Sequence, residues 1–355
     1  MTSRERVRAA LQHREPDRTP IFEYVLLSPV ADGLLGRRYG GDKAHWREMV
    51  DELGWSGALD RSIVDRLDMA ELLGHDMLYV GPNPPERPAG SPSAIEDKSA
   101  NGGPVAAMVR RNGVASGAPA PGSDTFEIYG RLGREMERRG LDLPIMAAAY
   151  GHGVWTDVDL MQTMVLEPEV AHRHFELATE RSLALIETYL ELGIDQVGVG
   201  GDFAGTKLII SPGAYQTFIV PEVRKLSRRI HAGDGYAVNA SDGDLWPVLE
   251  DFLFGCEVDG YLEIDMHAGM DMAELKARCG DRITLYGNLD CGNILSFGSP
   301  QEVGAHTRSC LEAGMGSGGH ILCASNAIAA SVSVENYLAV VNAHRDMFGL
   351  PKLVL

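Results

Sequence analysis

Cysteine is scarce and unpaired in this sequence. Its five cysteines, Cys256, Cys279, Cys291, Cys310 and Cys323, form no CxxC pair. An odd number of scattered thiols argues against a disulfide framework and points to a reducing, cytoplasmic setting. The opening, Met1 to Asp17, is charged and amphipathic, unlike a secretory leader. No run approaches the ~20 apolar residues that a membrane span needs. Positive charge is also short: 32 Lys and Arg stand against 50 Asp and Glu, a formal net charge of −18. Nucleic acids and anionic membranes recruit clustered basic residues, so neither is an expected partner. A highly anionic substrate would need a local basic patch to overcome that field. There is no GxSxG elbow, no HExxH or HxxxH spacing, no phosphate loop and no glycine fingerprint after a strand. Those absences remove the motif-based hydrolase, zinc-protease, nucleotide and dinucleotide readings.

What is present is a regular alternation. With 355 residues, 45% of them hydrophobic, the chain can bury a large core. Thr2 or Ser3 can cap an N-terminal helix, within residues 1–18, that carries Val7, Ala10 and Leu11 on one face and ends by Pro16. Strands are predicted at 20–27, 77–80, 144–149, 196–200, 236–239, 260–264, 283–286 and 320–323. Helices are predicted at 43–53, 126–139, 158–165, 168–192, 212–230, 245–253, 272–279, 300–313 and 334–348. Strands alternating with helices imply crossover connections and a parallel sheet, and eight such strands favour a closed barrel. The fold class is therefore α/β, a (β/α)8 TIM-type barrel, read as one domain over 1–355. Residues 82–124, rich in Pro, Gly, Ala and Ser, are predicted to be a loop or hairpin insertion, either a lid or a surface loop without a role.

Polar residues gather where strands end. The series runs Tyr150-Gly-His152, Gly201-Asp202, Asn239-Ala-Ser241-Asp242, Glu263 with Asp265 and His267, Asn288-Leu-Asp290-Cys291, and Cys323-Ala-Ser325-Asn326. In a barrel these ends converge on the face where catalysis occurs. Each residue alone also has a plainer reading. An Asp after a strand commonly caps a helix or shapes a turn, as Asp290 and Asp242 could. His172, His174, His306 and His344 lie on helices and read as surface residues, while His320 starts a strand, at the barrel's bottom. Crowded carboxylates at Asp202, Asp242, Glu263 and Asp265 would raise one another's pKa or call for a cation. His152, His267, Cys291 and Cys323 are borderline or soft zinc ligands by type.

Four stretches carry a family resemblance: GDFAGTKLIISPGAYQTFIVPEV, NASDGDLWPVLEDFL, AGMDMAELKARCGDRITLYGNLDC and GGHILCASNAIAASVSVENY. In their order and spacing, and in the opening MTSRERVRAALQHREPDRTP, the sequence resembles the uroporphyrinogen decarboxylase superfamily. The resemblance implies a distorted (β/α)8 barrel and one of two chemistries. One is cofactor-free decarboxylation of uroporphyrinogen. The other is methyl transfer involving corrinoid proteins, thiols or methoxylated compounds, usually with zinc. The decarboxylases carry paired arginines after the first strand and a histidine in the last strand's loop. Here Arg37 and Arg38 lie farther along and Asn326 takes the histidine's place. The thiol methyltransferases carry His-x-Cys after the fifth strand and a distant Cys after the eighth. Here those places read Asn239-Ala-Ser241-Asp242 and Ser325-Asn326, so the thiol-activating set is missing.

The expectation that follows is a methyltransferase or O-demethylase component acting on a small methylated or methoxylated compound with a corrinoid partner. Asp202, Asp242 and Asp265 are the expected catalytic carboxylates. Glu23, Tyr150, Lys207, Asn239, Glu263, Asn288 and Asn326 are the expected substrate contacts. Zinc would be held by His152, Asp242 and Cys323. A homodimer is the default assembly for a soluble enzyme. The alternatives are a cofactor-free decarboxylase and a non-catalytic binding barrel. The decarboxylase needs Arg37, Arg38, Arg87, Arg110 or Arg111 at the mouth. The binding barrel needs no strained or pKa-shifted carboxylate.

Overall fold

The computed structural model describes residues 1–86, 102–117 and 121–355. They pack as two compact units: a first of Met1–Gly81, Ile128–Met146 and Asp259–Leu355, and a second of Pro82–Glu127 and Ala147–Val258. The strands are β1 (Leu78–Tyr79), β2 (Ile145–Gly151), β3 (Gln196–Gly200), β4 (Tyr236–Ala240), β5 (Gly260–Leu262), β6 (Thr284–Tyr286) and β7 (His320–Ile321). Their order in the sheet is chain order, and helices lie between them in sequence. Parallel neighbours joined by helical crossovers make this an α/β fold of the distorted TIM-barrel type. Among the described residues no helix is long and apolar enough to cross a membrane.

In the first unit β1 pairs with the start of β2 (Leu78↔Ile145), β5 with β6 (Gly260↔Thr284) and β6 with β7 (Leu285↔His320). The strand predicted at 20–27 is reduced to single bridges, Ile21↔Leu322 and Leu26↔Ile328. Its place in the ladder survives: Phe22 N–H donates to Leu322 O (3.1 Å), and on the other side Asp76 N–H donates to Ile21 O (2.8 Å). The strand stops early for local reasons. Pro20 has no N–H to donate, and Pro29 starts the helix Ser28–Leu35. Ile21, Leu34, Leu73, Leu289, Leu322, Tyr337 and Val340 share one buried cluster. The helix predicted at 43–53 continues to Leu73, broken where Gly54 takes φ +72°.

The N-terminal helix, Ser3–Leu11, begins with a capping box. Thr2 Oγ1 accepts the Glu5 N–H, and Glu5 Oε2 accepts the Thr2 N–H at 2.9 Å. Arg6 on its inner face pairs with Asp17 (2.6 Å) and with the fully buried Asp76 (2.7 Å), which also takes Arg18 (2.6 Å).

In the second unit β3 and β4 pair in register Gln196↔Tyr236. The helix predicted at 212–230 contains a wide turn, Tyr215–Ile219, ahead of Val220–His231. Pro221 cannot donate to the carbonyl one turn back, and a wide turn absorbs that missing bond. Part of the stretch read as a loop or hairpin, 82–124, is instead a helix, Gly103–Ser116, with Pro104 in its first turn. Met108 and Asn112 are its buried residues. Asn112 Nδ2 donates to Val170 O (3.0 Å), and Arg111 pairs with Asp157 and Asp159. The rest of that predicted insertion, 87–101 and 118–120, lies outside the described residues.

Candidate active-site residues

Strand ends in the first unit place Glu23, Glu263, Asn288 and Cys323 among buried neighbours. Glu23 is buried, with Oε2 accepting the Ala324 N–H (3.1 Å) and Oε1 facing the Tyr337 hydroxyl (3.2 Å). The same hydroxyl lies 3.1 Å from His75 Nε2. Burial raises Glu23 to about 8 and pulls His75 down to about 3. The same burial shifts Glu23 toward its protonated form and His75 toward its neutral form. The Tyr337 hydroxyl donates to Glu23 Oε1, and His75 Nε2 lies on its other side.

Glu263 follows β5 at φ +73°, a left-handed conformation that costs a side-chain-bearing residue of order 1 kcal/mol or more. Its charge adds to burial in raising the Tyr79 hydroxyl. The Cys323 thiol is fully buried and pushed well above its ordinary value, by burial first and then by Glu23 and Glu263. Asn288 is buried and its carbonyl accepts from Cys310 Sγ at 3.5 Å. Asn326 is exposed and turns its Oδ1 to the Ala327 N–H (2.6 Å). Asp265, expected to be catalytic, caps the turn Met266–Ala268, accepting the N–H groups of His267 (2.9 Å) and Ala268 (3.3 Å).

Sequence reasoning passed over a further pair. His267 Nε2 lies 2.9 Å from Asp290 Oδ1; the imidazole is about half exposed and the carboxylate buried. His306, read as a surface residue, accepts the Asp290 N–H at 2.9 Å, and His344, read likewise, is buried against the Thr19 carbonyl (2.8 Å). His320 is buried too, with Nε2 at 2.7 Å from Gly287 O.

In the second unit Asp202 and Asp242 come together after β3 and β4. The Asp242 N–H donates to Asp202 Oδ1 (3.1 Å), and each carboxylate offers an oxygen within 4.8 Å of the other. Two glycines permit that approach. A Cβ on Gly200 would sit 2.3 Å from Asn239 Oδ1, and one on Gly243 would sit 2.5 Å from the Ala204 carbonyl carbon.

Three other expected contacts, Asn239, Tyr150 and Lys207, lie in the same unit. Asn239 is buried, its amide donating to Phe252 O (3.0 Å) and its oxygen accepting the Ala240 N–H (3.1 Å). The Tyr150 hydroxyl is buried, and its pKa is raised by burial first and then by the charge of Glu222 on the helix Val220–His231. Lys207 is exposed in the loop after β3, and its carbonyl accepts the Gly205 N–H at 3.0 Å.

Of the zinc ligands expected from sequence, Asp242 stands with Asp202 in a carboxylate group that could hold a cation, while His152 and Cys323 lie outside it. His152 is buried against Phe203, its Nδ1 accepts the Val154 N–H (3.4 Å), and the Gly201 backbone also hydrogen-bonds its ring. With one nitrogen accepting and the other protonated, no lone pair is free for a cation. Burial raises the Cys323 thiol well above its ordinary value. Asp242 has Asp202 beside it, and His152 is outside that group.

Residues 144–347, more than half of the sequence, match the family model described as uroporphyrinogen decarboxylase (URO-D). The chain belongs to the uroporphyrinogen decarboxylase family. Family relatives carry two names. A uroporphyrinogen decarboxylase of Methylibium petroleiphilum is 25% identical over 197 residues, 53% of this chain and 50% of that protein. One of Xanthomonas axonopodis pv. citri is 24% identical over 90% of both chains. The methylcobamide:CoM methyltransferase MtaA of Methanosarcina barkeri is 25% identical over 60% of this chain and 61% of its own. The chain thus spans about half the length of the Methylibium relative. Among solved structures, a methyltransferase from Methanosarcina mazei has a TM-score of 0.67 at 19% identity, covering 98% of this chain and 99% of its own. That likeness is one of fold, and the family's named members are enzymes of both kinds.

Proposed function

We propose that this family member is a methyltransferase-type enzyme that removes a methyl group from a small methylated or methoxylated compound, with a corrinoid protein as acceptor. The observation that carries the choice is how its arginines are used. Arg37 is paired with Asp65 (2.7 Å) and with Asp68, Arg38 with Glu48, and Arg111 with Asp157 and Asp159. Arginines committed to carboxylates of their own chain are a poor clamp for a substrate with eight carboxylates. Arg110 is exposed on its helix, and Arg87 lies outside the described residues.

Carboxylates with unusual surroundings favour an enzyme over a passive binder. Glu23 is shifted toward its protonated form by burial, and Glu263 is held in a strained conformation. Such features cluster at functional sites. Asp202 and Asp242 are the carboxylates assigned to substrate polarisation, since each offers an oxygen toward the other rather than capping a helix. Zinc has no part in this assignment, because His152 and Cys323 lie outside the group that Asp202 and Asp242 form. Decarboxylation is the second reading, favoured by the names of several relatives.

The deciding assay incubates the protein with a panel of aryl methyl ethers and reduced cobalamin, and separately with uroporphyrinogen III. Appearance of the demethylated phenol supports the proposal. Carbon dioxide from uroporphyrinogen without methyl transfer refutes it. In the productive assay, Asp242→Asn is expected to lower kcat by ~10²-fold, with KM changed less. Unchanged turnover would remove Asp242 from the chemistry.

A further inference from the structure

Both candidate reactions consume a proton. Breaking a methyl–oxygen bond sends the methyl to the acceptor and leaves the bonding pair on oxygen. Breaking a carbon–carboxylate bond releases carbon dioxide and leaves the pair on carbon. Either product needs one proton from a group at the strand-end face, and Asp265, spent on capping, is badly placed to give it.

We propose that His267 is that proton donor and that Asp290 is the positioning residue that orients it. The proposal rests on the reading of this chain as an enzyme, but holds for either chemistry. The two residues follow β5 and β6, at the strand ends where catalytic groups of such folds sit. The aspartate is fixed on several sides. Its Oδ1 accepts the Asn293 N–H (3.0 Å) and meets His267 Nε2 (2.9 Å), its own N–H donates to His306 Nε2 (2.9 Å), and its carbonyl accepts from Leu295 (2.9 Å). A buried acid that fixes one imidazole nitrogen and leaves the other to solvent is the arrangement general acid–base catalysis uses. Nε2–H goes to Asp290, so Nδ1 is the nitrogen that works. Asn293 Nδ2 stands 3.0 Å from the same Nε2. Two donors cannot share that contact, so the amide belongs turned round with its oxygen toward Nε2–H.

The charges facing His267 favour its cationic form. The Asp290 hydrogen bond raises its pKa, burial lowers it slightly, and the Asp290 and Asp265 charges raise it again. His306 also faces the pair, but burial holds it below its ordinary value, and its Nε2 is occupied by the Asp290 N–H. In the step itself, His267 Nδ1–H passes its proton to the oxygen or carbon that holds the new electron pair. The neutral imidazole then regains a proton from water while Asp290 remains ionised.

The experiment compares wild type, His267→Gln and Asp290→Asn, with kcat against pH in whichever assay the wild type turns over. An NMR titration of the His267 Cε1–H resonance accompanies it. His267→Gln is expected to keep its melting temperature and lose ~10²-fold in kcat, with little change in KM. Asp290→Asn is expected to move both the His267 titration and the basic limb of the rate profile to lower pH. Full kcat in His267→Gln, or an unmoved basic limb in Asp290→Asn, overturns the proposal. A wild type inactive toward aryl methyl ethers and uroporphyrinogen alike sinks the enzymatic reading. The titration then still decides the pair: an His267 pKa unaffected by Asp290→Asn means that the aspartate does not orient it.

Discussion

Replacing Glu23 by glutamine should stabilise the protein, and only above about pH 5. The carboxyl sits near 4.5 in an unfolded chain and at about 8 in the folded one. The folded state therefore holds a proton that the unfolded state has lost, and stability falls as pH rises from 4.5 to 8. At about 1.4 kcal/mol per pH unit, the loss reaches about 3 kcal/mol at pH 7 and levels off near about 5 kcal/mol above pH 8. Glutamine reproduces the protonated pattern: its oxygen can accept the Ala324 N–H while its amide donates to the Tyr337 oxygen. Near pH 5 the two proteins should thus differ by less than about 1 kcal/mol.

Buried histidines pull the other way. Burial lowers His75 to about 3 and His152, His320 and His344 to about 4, so each costs stability as pH falls below 6.5. Subtracting the variant's curve from the wild type's removes that shared trend. The assay is urea unfolding at pH 5, 6, 7 and 8, following the midpoint and slope for both proteins. Curves that converge at pH 5 and separate steadily toward pH 8 fit the reasoning. A constant offset at every pH, or a variant less stable at pH 8, would refute it.

Two further outcomes follow from the same structure. Asp76→Ala leaves Arg6 and Arg18 facing one another with no buried partner, and should cost about 3–5 kcal/mol, read as a lowered urea midpoint. Because both His152 nitrogens are occupied, His152→Ala should leave the metal content of purified protein unchanged by elemental analysis. Stoichiometric zinc lost with that substitution would reverse the assignment.

The parts legible in the sequence are those with strong local period. The strand at 196–200 and the helix Met272–Cys279 appear with the bounds that alternation and capping imply. Composition misled at 103–116, where Gly, Pro and Ala suggested a loop. Yet Pro104 suits a first turn, and Met108 and Asn112 stand one turn apart. The helical stripe Tyr337, Val340, Val341 and His344 was equally available and marks His344 as buried. Glu23 was legible as an oddity in an apolar run, but its partners Ala324 and Tyr337 lie about 300 residues away. Likewise nothing local ties His267 to Asp290, 23 residues on. Tyr150 and Asn239 stood at strand ends as expected, but a backbone carbonyl, that of Phe252, claimed the Asn239 amide.

The bridge between Ile21 and Leu322 also sets a timetable for folding. The second unit draws on 82–127 and 147–258, so its pieces are complete before the last quarter of the chain is made. The first unit has to wait. Ile21, buried in the finished molecule, leaves the ribosome with its ladder partner about 300 residues behind, which takes ~15–60 s to arrive at ordinary synthesis rates. Closing so long a loop costs only slowly growing entropy, but the delay leaves an apolar segment unpaired in the nascent chain. Until then Ile21 has only its early-made neighbours, Leu34 and Leu73 in the same cluster and the Asp76 N–H on its carbonyl, to cover it.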